Sequence, residues 1–104
     1  MEKHCYLKQV TPPDVLYHGT SDFCSDNINQ NGLISEIDYN VHSTSDYTLA
    51  EKFAHRGAIR YGCEPLVYKI DCKHMIEDGF IFYQHPGILN AYITDIVPAK
   101  YLTL

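Results

Sequence analysis

Residues 15–23 read VLYHGTSDF, an apolar run that ends in a histidine, a glycine and two hydroxyl residues. The run over residues 15–18 predicts a short strand. A glycine directly after a strand can mark a turn. It can also let a ligand approach closely enough to form hydrogen bonds with the backbone. Gly19 therefore has a conformational and a ligand-binding interpretation, and this stretch by itself leaves both open.

The composition is that of one globular domain, with 104 residues, 45% of them hydrophobic and 20% charged. The N-terminal residues lack the apolar segment of a signal peptide. No stretch reaches the roughly 18 apolar residues of a membrane span. We therefore expect a single domain over residues 1–104, no membrane partner and a cytoplasmic location.

The formal net charge is −5, and only eight residues are Lys or Arg. A surface that grips nucleic-acid phosphates needs clustered basic residues, so such a surface is not expected here, although one local basic site is compatible with the sequence. The cysteines and histidines show no metal-ligand spacing, which predicts reduced thiols and no metal.

Capping and turn signals predict two short helices near the N-terminal half. Ser21 or Asp22 can cap the first helix, which ends at Gly32, and Ser45 or Asp46 can cap the second, which fades over residues 57–62. The other predicted segments are a lead-in over 1–14, a loop over 33–39, a turn over 72–75, and strands at 15–18, 41–43, 65–71, 80–83, 91–96 and 101–104. This order predicts an α+β fold with mixed or antiparallel sheets.

Six short segments follow one another over residues 12–104: LYHGTS, NGL, VHSTSD, IRYGCEPLVYKID, MIEDGFIFY and YITDIVPAKYL. In this order they resemble the catalytic lobe of the KptA-like RNA 2′-phosphotransferases, a branch of the ADP-ribosyltransferase fold. The resemblance implies ADP-ribosyltransferase-like split β-sheets with NAD bound between them.

The resemblance also implies roles for particular residues. His18 would hydrogen-bond a ribose hydroxyl of NAD, and Gly19 would pair its backbone N–H and C=O with the nicotinamide carboxamide. Arg60 would hold a phosphate through its planar guanidinium. Asp95 is a candidate acid, because Ala91 stands where other branches carry a glutamate. Further candidates for binding NAD are Thr20 at the rim, Ser43 on the pocket floor, and Tyr47, Phe82 and Tyr83 against the nicotinamide ring.

Most of these residues also have a structural interpretation. His18 can be a satisfied histidine at a strand end, and Arg60 can complement the dipole at the C-terminal end of the second helix. Asp95 can be a solvated carboxylate at a strand end. The aromatic residues Tyr47, Phe82 and Tyr83 can be plain core.

These roles predict an NAD-dependent ADP-ribosyltransferase that moves ADP-ribose to a protein or RNA acceptor and releases nicotinamide. One alternative is a minimal RNA 2′-phosphotransferase. Gln84 stands near the position of a second arginine in that branch, which favours the first hypothesis over it. Another alternative is an inactive module that binds NAD, ADP-ribose or a protein. The small size is compatible with an effector protein.

Overall fold

The computed structural model describes residues 7–34 and 41–104. Three α-helices lie in these residues, α1 (Ser25–Asn31), α2 (Tyr47–Tyr61) and α3 (Cys72–Glu77). The described strands are β1 (Gln9–Val10), β2 (Val15–Ser21), β3 (Leu33–Ile34), β4 (Val41–Thr44), β5 (Pro65–Asp71), β6 (Phe82–Gln84), β7 (Ala91–Thr94), β8 (Ile96–Val97) and β9 (Leu102–Thr103). The predicted α+β class is confirmed.

The larger sheet has the order β1-β6-β7-β4-β2-β5-β9, and all of its strand pairs are antiparallel. Strand β2 pairs with β5 along its whole length, from Val15 opposite Asp71 to Ser21 opposite Pro65. Within the described residues, β2 pairs with β4 only where Tyr17 lies opposite Thr44. The sheet therefore consists of two parts that diverge on either side of a single contact. A small second sheet pairs β3 with β8.

Helix α2 covers the face of the sheet next to this divergence. The Asp46 carboxylate accepts hydrogen bonds from Thr48 N at 3.0 Å and Leu49 N at 3.3 Å, so it caps the helix as predicted. Gly62 ends the helix with a left-handed φ of 67°. The buried stripe of α2 consists of Ala50, Ala54 and Ala58. These small side chains let the helix backbone lie close to β2.

The hydrophobic core lies on the other face of β2 and β5. Leu16, Tyr68 and Ile70 are fully or almost fully buried there. Side chains alternate between the two faces of a strand, so Tyr17 and Gly19 point toward the α2 face while Leu16 points into the core. Gly32 ends α1 with φ 79°, as predicted, and its N–H donates to Ile28 O.

Local sequence signals misplaced several elements. The predicted turn at residues 72–75 is helix α3, because the Asp71 carboxylate accepts a hydrogen bond from His74 N at 3.1 Å and caps a helical turn. The lead-in contains β1, which pairs with β6. The first helix opens with a 3₁₀ turn over Asp22–Cys24 before α1 begins.

Two strand predictions and one loop prediction also need correction. The strand predicted at 80–83 is β6, which begins two residues later at Phe82. The strand predicted at 91–96 is interrupted by a bend at Asp95, between β7 and β8. The predicted loop at 33–39 begins with β3, which forms because β8 pairs with it, and residues 35–40 lie outside the described part of the chain. None of the described helices is long and apolar enough to cross a membrane.

Candidate functional site

A cavity of about 270 Å³ lies where β2 and β4 diverge. Its walls come from residues 17–19 of β2, residues 42–44 of β4, Ala50 and Phe53 of α2, and His85 and Ile88 after β6. The described residues that line it include no Asp, Glu, Lys or Arg. Such a cavity, mostly apolar with a few hydrogen-bonding groups, suits a flat, neutral part of a ligand.

The hydrogen bonds at the two ends of the β2–β5 ladder show which backbone groups face this cavity. Asp22 N donates to Glu64 O at 2.9 Å, and Cys72 N donates to Asp14 O at 2.9 Å. In an antiparallel pair, bonded and non-bonded residue pairs alternate. The register between these ends is regular, so the even-numbered residues of β2 bond to β5. The N–H and C=O of Gly19 therefore point toward the opposite, open edge.

Gly19 cannot carry a side chain, for a reason that differs from the one predicted. A Cβ atom at this position would lie 1.9 Å from Ala50 O and 2.8 Å from Ala54 N, both in the backbone of α2. The glycine is thus required by the close packing of α2 on β2. Its exposed backbone edge remains available to a ligand from the other direction.

His18 bridges the gap between the diverging strands. Its Nδ1 lies 2.6 Å from His42 O. A carbonyl can only accept, so Nδ1–H donates and Nε2 of the neutral ring is an acceptor. Burial lowers the pKa of His18 below its usual value, although the hydrogen bond to the His42 backbone opposes this effect. His18 is therefore a neutral acceptor at neutral pH.

A second cavity of about 320 Å³ lies beside the first, and His18 lines both. Its other walls include Thr20 of β2, Asn27 and Asn31 of α1, and Leu33 of β3. The two cavities differ in character, because side-chain amides line the second and none of the described walls of the first carries one. Because His18 lines both, the two cavities adjoin at this residue.

Two neighbouring hydroxyls on β4 have opposite environments. Thr44 Oγ1 donates to Asn90 O at 2.7 Å and accepts from Asp46 N at 3.0 Å. Ser43 is only 5% exposed, and its Oγ has no hydrogen-bond partner among the described residues. Buried polar groups are nearly always satisfied, so an unpartnered hydroxyl in a cavity wall indicates a place for a ligand or water.

The loop after β6 forms the remaining wall, and sequence reasoning assigned it no role. The Gln84 side-chain NH₂ lies within hydrogen-bond distance of four carbonyls of residues 85–91, at 2.9 to 3.3 Å. His85 Nδ1 accepts from Gly87 N at 2.9 Å and Ile88 N at 3.1 Å. Gln84 thus organises the loop at a position where an arginine was expected. The one sequence feature that could have pointed to His85 is its position directly before Pro-Gly, a dipeptide typical of turns.

No protein-family model matches the chain. A "Probable RNA 2'-phosphotransferase" from Hahella chejuensis is 36% identical over 98 residues, which are 94% of this chain and 49% of that protein. Another of the same description from Nostoc punctiforme is 35% identical over 102 residues, 98% of this chain and 52% of that protein. The chain resembles the RNA 2′-phosphotransferases. It spans about half the length of the curated relatives it matches.

Because RNA 2′-phosphotransferases by their name act on a phosphate, the cations near the cavity are of interest. Arg60 lies in the last turn of α2, outside the described cavity walls and about 9 Å along the helix axis beyond Ala54. Arg56 lies over the ring of Phe53, with its guanidinium carbon 5.7 Å from the ring centroid. Phe53 lines the cavity, so Arg56 lies next to one of the described wall residues.

The other predicted residues occupy several places. Thr20 lines the second cavity. Tyr47 is half-exposed and packs edge-on against Tyr17, 5.2 Å between ring centroids. The remaining three lie outside the described walls of both cavities: Phe82 in the core, Tyr83 on β6 and Asp95 at an exposed bend.

Thiol chemistry has little support in the described residues. Burial raises the pKa of Cys72 to about 12. Burial, reinforced by the nearby Asp22 carboxylate, also raises the pKa of Cys63. Both thiols therefore stay protonated at neutral pH and are weak nucleophiles. The described residues contain no group of three or more His, Cys, Asp or Glu that could hold a metal ion.

Proposed function

We propose that this chain binds NAD across its two adjoining cavities and supports transfer chemistry of the RNA 2′-phosphotransferase type. The resemblance to RNA 2′-phosphotransferases over 94% to 98% of the chain supports the proposal. Since the chain spans about half of those proteins, the full reaction and the RNA partner belong to the proposal too.

The observation that carries the proposal is the position and state of His18. Its ring lines both cavities, and its Nε2 is an acceptor because Nδ1–H donates to His42 O. A ribose hydroxyl is a suitable donor to that nitrogen. A dinucleotide held at its middle by this contact would extend one end into each cavity.

The first cavity fits the nicotinamide end. Its apolar walls, including Ala50, Phe53 and Ile88, suit a flat ring. The backbone edge of Gly19 offers an N–H and a C=O side by side, which is what a carboxamide needs. The Ser43 hydroxyl is a further hydrogen-bonding group in this wall.

The second cavity, with the Asn27 and Asn31 amides, would take the remainder of the dinucleotide. Arg56 beside Phe53 would serve a phosphate near the opening of the first cavity.

The chemistry has two steps, and in the second a neighbouring ribose hydroxyl attacks the phosphorus while the bond from phosphorus to the RNA 2′-oxygen breaks and that oxygen takes up a proton. The first step is displacement at the ribose carbon that carries nicotinamide. A phosphate oxygen forms a new bond to that carbon while the carbon–nitrogen bond breaks, and nicotinamide leaves with the bonding pair as a neutral molecule. The chain's own part is to hold the ring at Gly19, orient the ribose at His18 and exclude water with Phe53 and Ile88.

The lack of a carboxylate base in the described cavity walls favours an anionic acceptor, such as an RNA 2′-phosphate at the opening beside Arg56, over a hydroxyl acceptor. No carboxylate lines the first cavity among the described residues, and Ala91 occupies one wall. A phosphate oxygen is already anionic and needs no base, whereas a hydroxyl acceptor must lose a proton. ADP-ribosyl transfer to a protein or another RNA group uses the same leaving group and is the competing hypothesis.

Binding is tested by calorimetric titration with NAD. His18→Asn keeps a donor toward His42 O but removes the acceptor at Nε2, so we expect affinity to fall about 10-fold, the equivalent of about 1.4 kcal/mol. His55→Asn is the matched control, because His55 is exposed on α2 away from both cavities. The proposal is wrong if the unmodified chain does not bind NAD, or if His18→Asn binds it equally well.

The acceptor is tested by nicotinamide release. We expect release with an oligoribonucleotide that carries one internal 2′-phosphate and none with the same oligonucleotide lacking it. A lysate incubated with labelled NAD forms the second arm. Label on protein, with no dependence on the 2′-phosphate, would instead support the ADP-ribosyltransferase hypothesis.

A further inference from the structure

His85 has no part in the function proposed above, yet its ring lines the first cavity. The ring is fixed from several directions. Its Nδ1 accepts two backbone bonds, from Gly87 N and Ile88 N. Its backbone N–H donates to Ala91 O at 3.0 Å. The His85 ring also makes an edge-type contact with the His42 ring, with 5.4 Å between the ring centroids.

These contacts determine the tautomer. A nitrogen that accepts two N–H bonds carries no proton, so the proton of the neutral ring is on Nε2. A doubly protonated ring could not accept the two bonds that close the loop. Nε2–H is thus a fixed donor, and it has no partner among the described residues.

The surroundings indicate what this donor would bind. The described walls carry no cation, and Ile88, Ala91 and Phe53 are apolar. Beside His85, removing a phosphate from water would cost much more than removing a neutral oxygen, because a single neutral N–H donor does not compensate a buried charge. We propose that His85 is a ligand-binding residue whose Nε2–H donates a hydrogen bond to a neutral oxygen on the nicotinamide–ribose side of NAD. This inference rests on the proposed function.

Two substitutions separate the ligand contact from the support of the loop. In His85→Asn, the side-chain oxygen can accept from Gly87 N and Ile88 N, as Asn does in turns, but the Nε2–H donor is lost. In His85→Gln, the amide NH₂ reaches toward the position of Nε2, but the acceptor near the backbone is lost. The first variant should keep the loop and lose the ligand contact, and the second should do the reverse.

The experiment measures NAD affinity and the urea unfolding midpoint for the unmodified chain and both variants. We expect His85→Asn to weaken NAD about 10-fold with an unchanged midpoint. We expect His85→Gln to bind NAD more tightly than His85→Asn while unfolding at lower urea. Titrations with nicotinamide alone and with ADP-ribose alone then locate the oxygen. A defect confined to nicotinamide assigns the carboxamide, and a defect confined to ADP-ribose assigns a ribose hydroxyl.

The outcomes that overturn this inference are distinct from those that overturn the proposed function. If the unmodified chain binds NAD and His85→Asn binds it equally tightly, His85 does not contact the ligand. If both variants lose affinity only in proportion to lost stability, the role is structural and the inference fails. If the unmodified chain does not bind NAD, the proposed function fails and this inference fails with it.

Discussion

The two edges of β2 differ in how completely their backbone groups are paired with a neighbouring strand. Along one edge, every residue of β2 has a register partner in β5. Along the other, the only described register partner is Thr44, opposite Tyr17. Past that point, the His18 side chain bonds to His42 O. Buried backbone groups need partners, so an interrupted ladder leaves groups that a ligand can satisfy. The cavity is thus a consequence of incomplete strand pairing.

The largest loss of stability is expected from a substitution where α2 packs on β2. Gly19→Ala places a Cβ against Ala50 O, a backbone atom that cannot rotate away. We expect destabilisation by at least about 1–3 kcal/mol, the usual cost of overpacking, measured by urea unfolding.

Gly57→Ala in the same helix is the matched control, because among the described residues no atom beyond the neighbouring backbone of its own helix lies within 4 Å of the added Cβ. It should stabilise the chain by up to about 1 kcal/mol through helix propensity. Equal unfolding midpoints for the two variants would show that α2 does not press on β2 at Gly19, and the explanation of the open edge would need revision.

The next largest effect is on the rate of nicotinamide release, and it concerns the two arginines of α2. The first half of this helix covers the open edge of β2, and its last turn extends beyond that edge. Arg56→Gln should lower the rate of nicotinamide release with a 2′-phosphorylated RNA by about 10- to 100-fold. One charge-assisted hydrogen bond to a phosphate is worth about 1.5–3 kcal/mol. Arg60→Gln should leave the rate within about 2-fold. The reverse ranking would restore the role predicted for Arg60 from the family resemblance.

The sequence predicted those parts of the fold whose signals are local. Strand β5 and the cap at Asp46 both lie where alternation and capping place them. Strand β1 has only two residues and exists because β6 pairs with it, a contact that no local pattern contains. Helix α3 was missed because its cap, Asp71, is also the last residue of β5.

The candidate site likewise has one wall that the local sequence predicts and one that only the fold creates. The β2 wall followed from the motif around His18 and Gly19, since those residues adjoin in sequence. The wall formed by His85 was missed, because its role depends on bonds within a loop that only the fold brings to the cavity. The steric reason for Gly19 was also invisible, since it depends on the approach of Ala50.

A smaller effect is expected at the adjacent hydroxyls of β4, where one substitution should raise stability and lower NAD affinity. Ser43→Ala removes a buried oxygen that has no described partner, so the free chain should become more stable by up to about 1 kcal/mol. NAD affinity should fall in the same variant. Thr44→Val is the control, because it removes two hydrogen bonds and should destabilise the chain. Loss of stability in Ser43→Ala would mean that the hydroxyl already has a hydrogen-bond partner in the free chain. Ser43 would then no longer be a candidate for binding the ligand.

The smallest effect is a pH dependence that originates at His18. Burial lowers the pKa of His18 in the folded chain, whereas an unfolded histidine titrates near its usual value of about 6.5. Between these two values the unfolded state binds more protons, so acid favours unfolding. Stability should therefore be fully present above about pH 6.5 and should fall as the pH drops toward the folded pKa. One proton limits the slope to about 1.4 kcal/mol per pH unit. His18→Asn lacks this titration, so the difference in unfolding free energy between the unmodified chain and the variant should shrink from pH 7.5 to pH 5.5. If that difference grows on acidification, His18 is charged in the folded chain, and its Nε2 is a donor instead of the acceptor that the open edge of β2 requires.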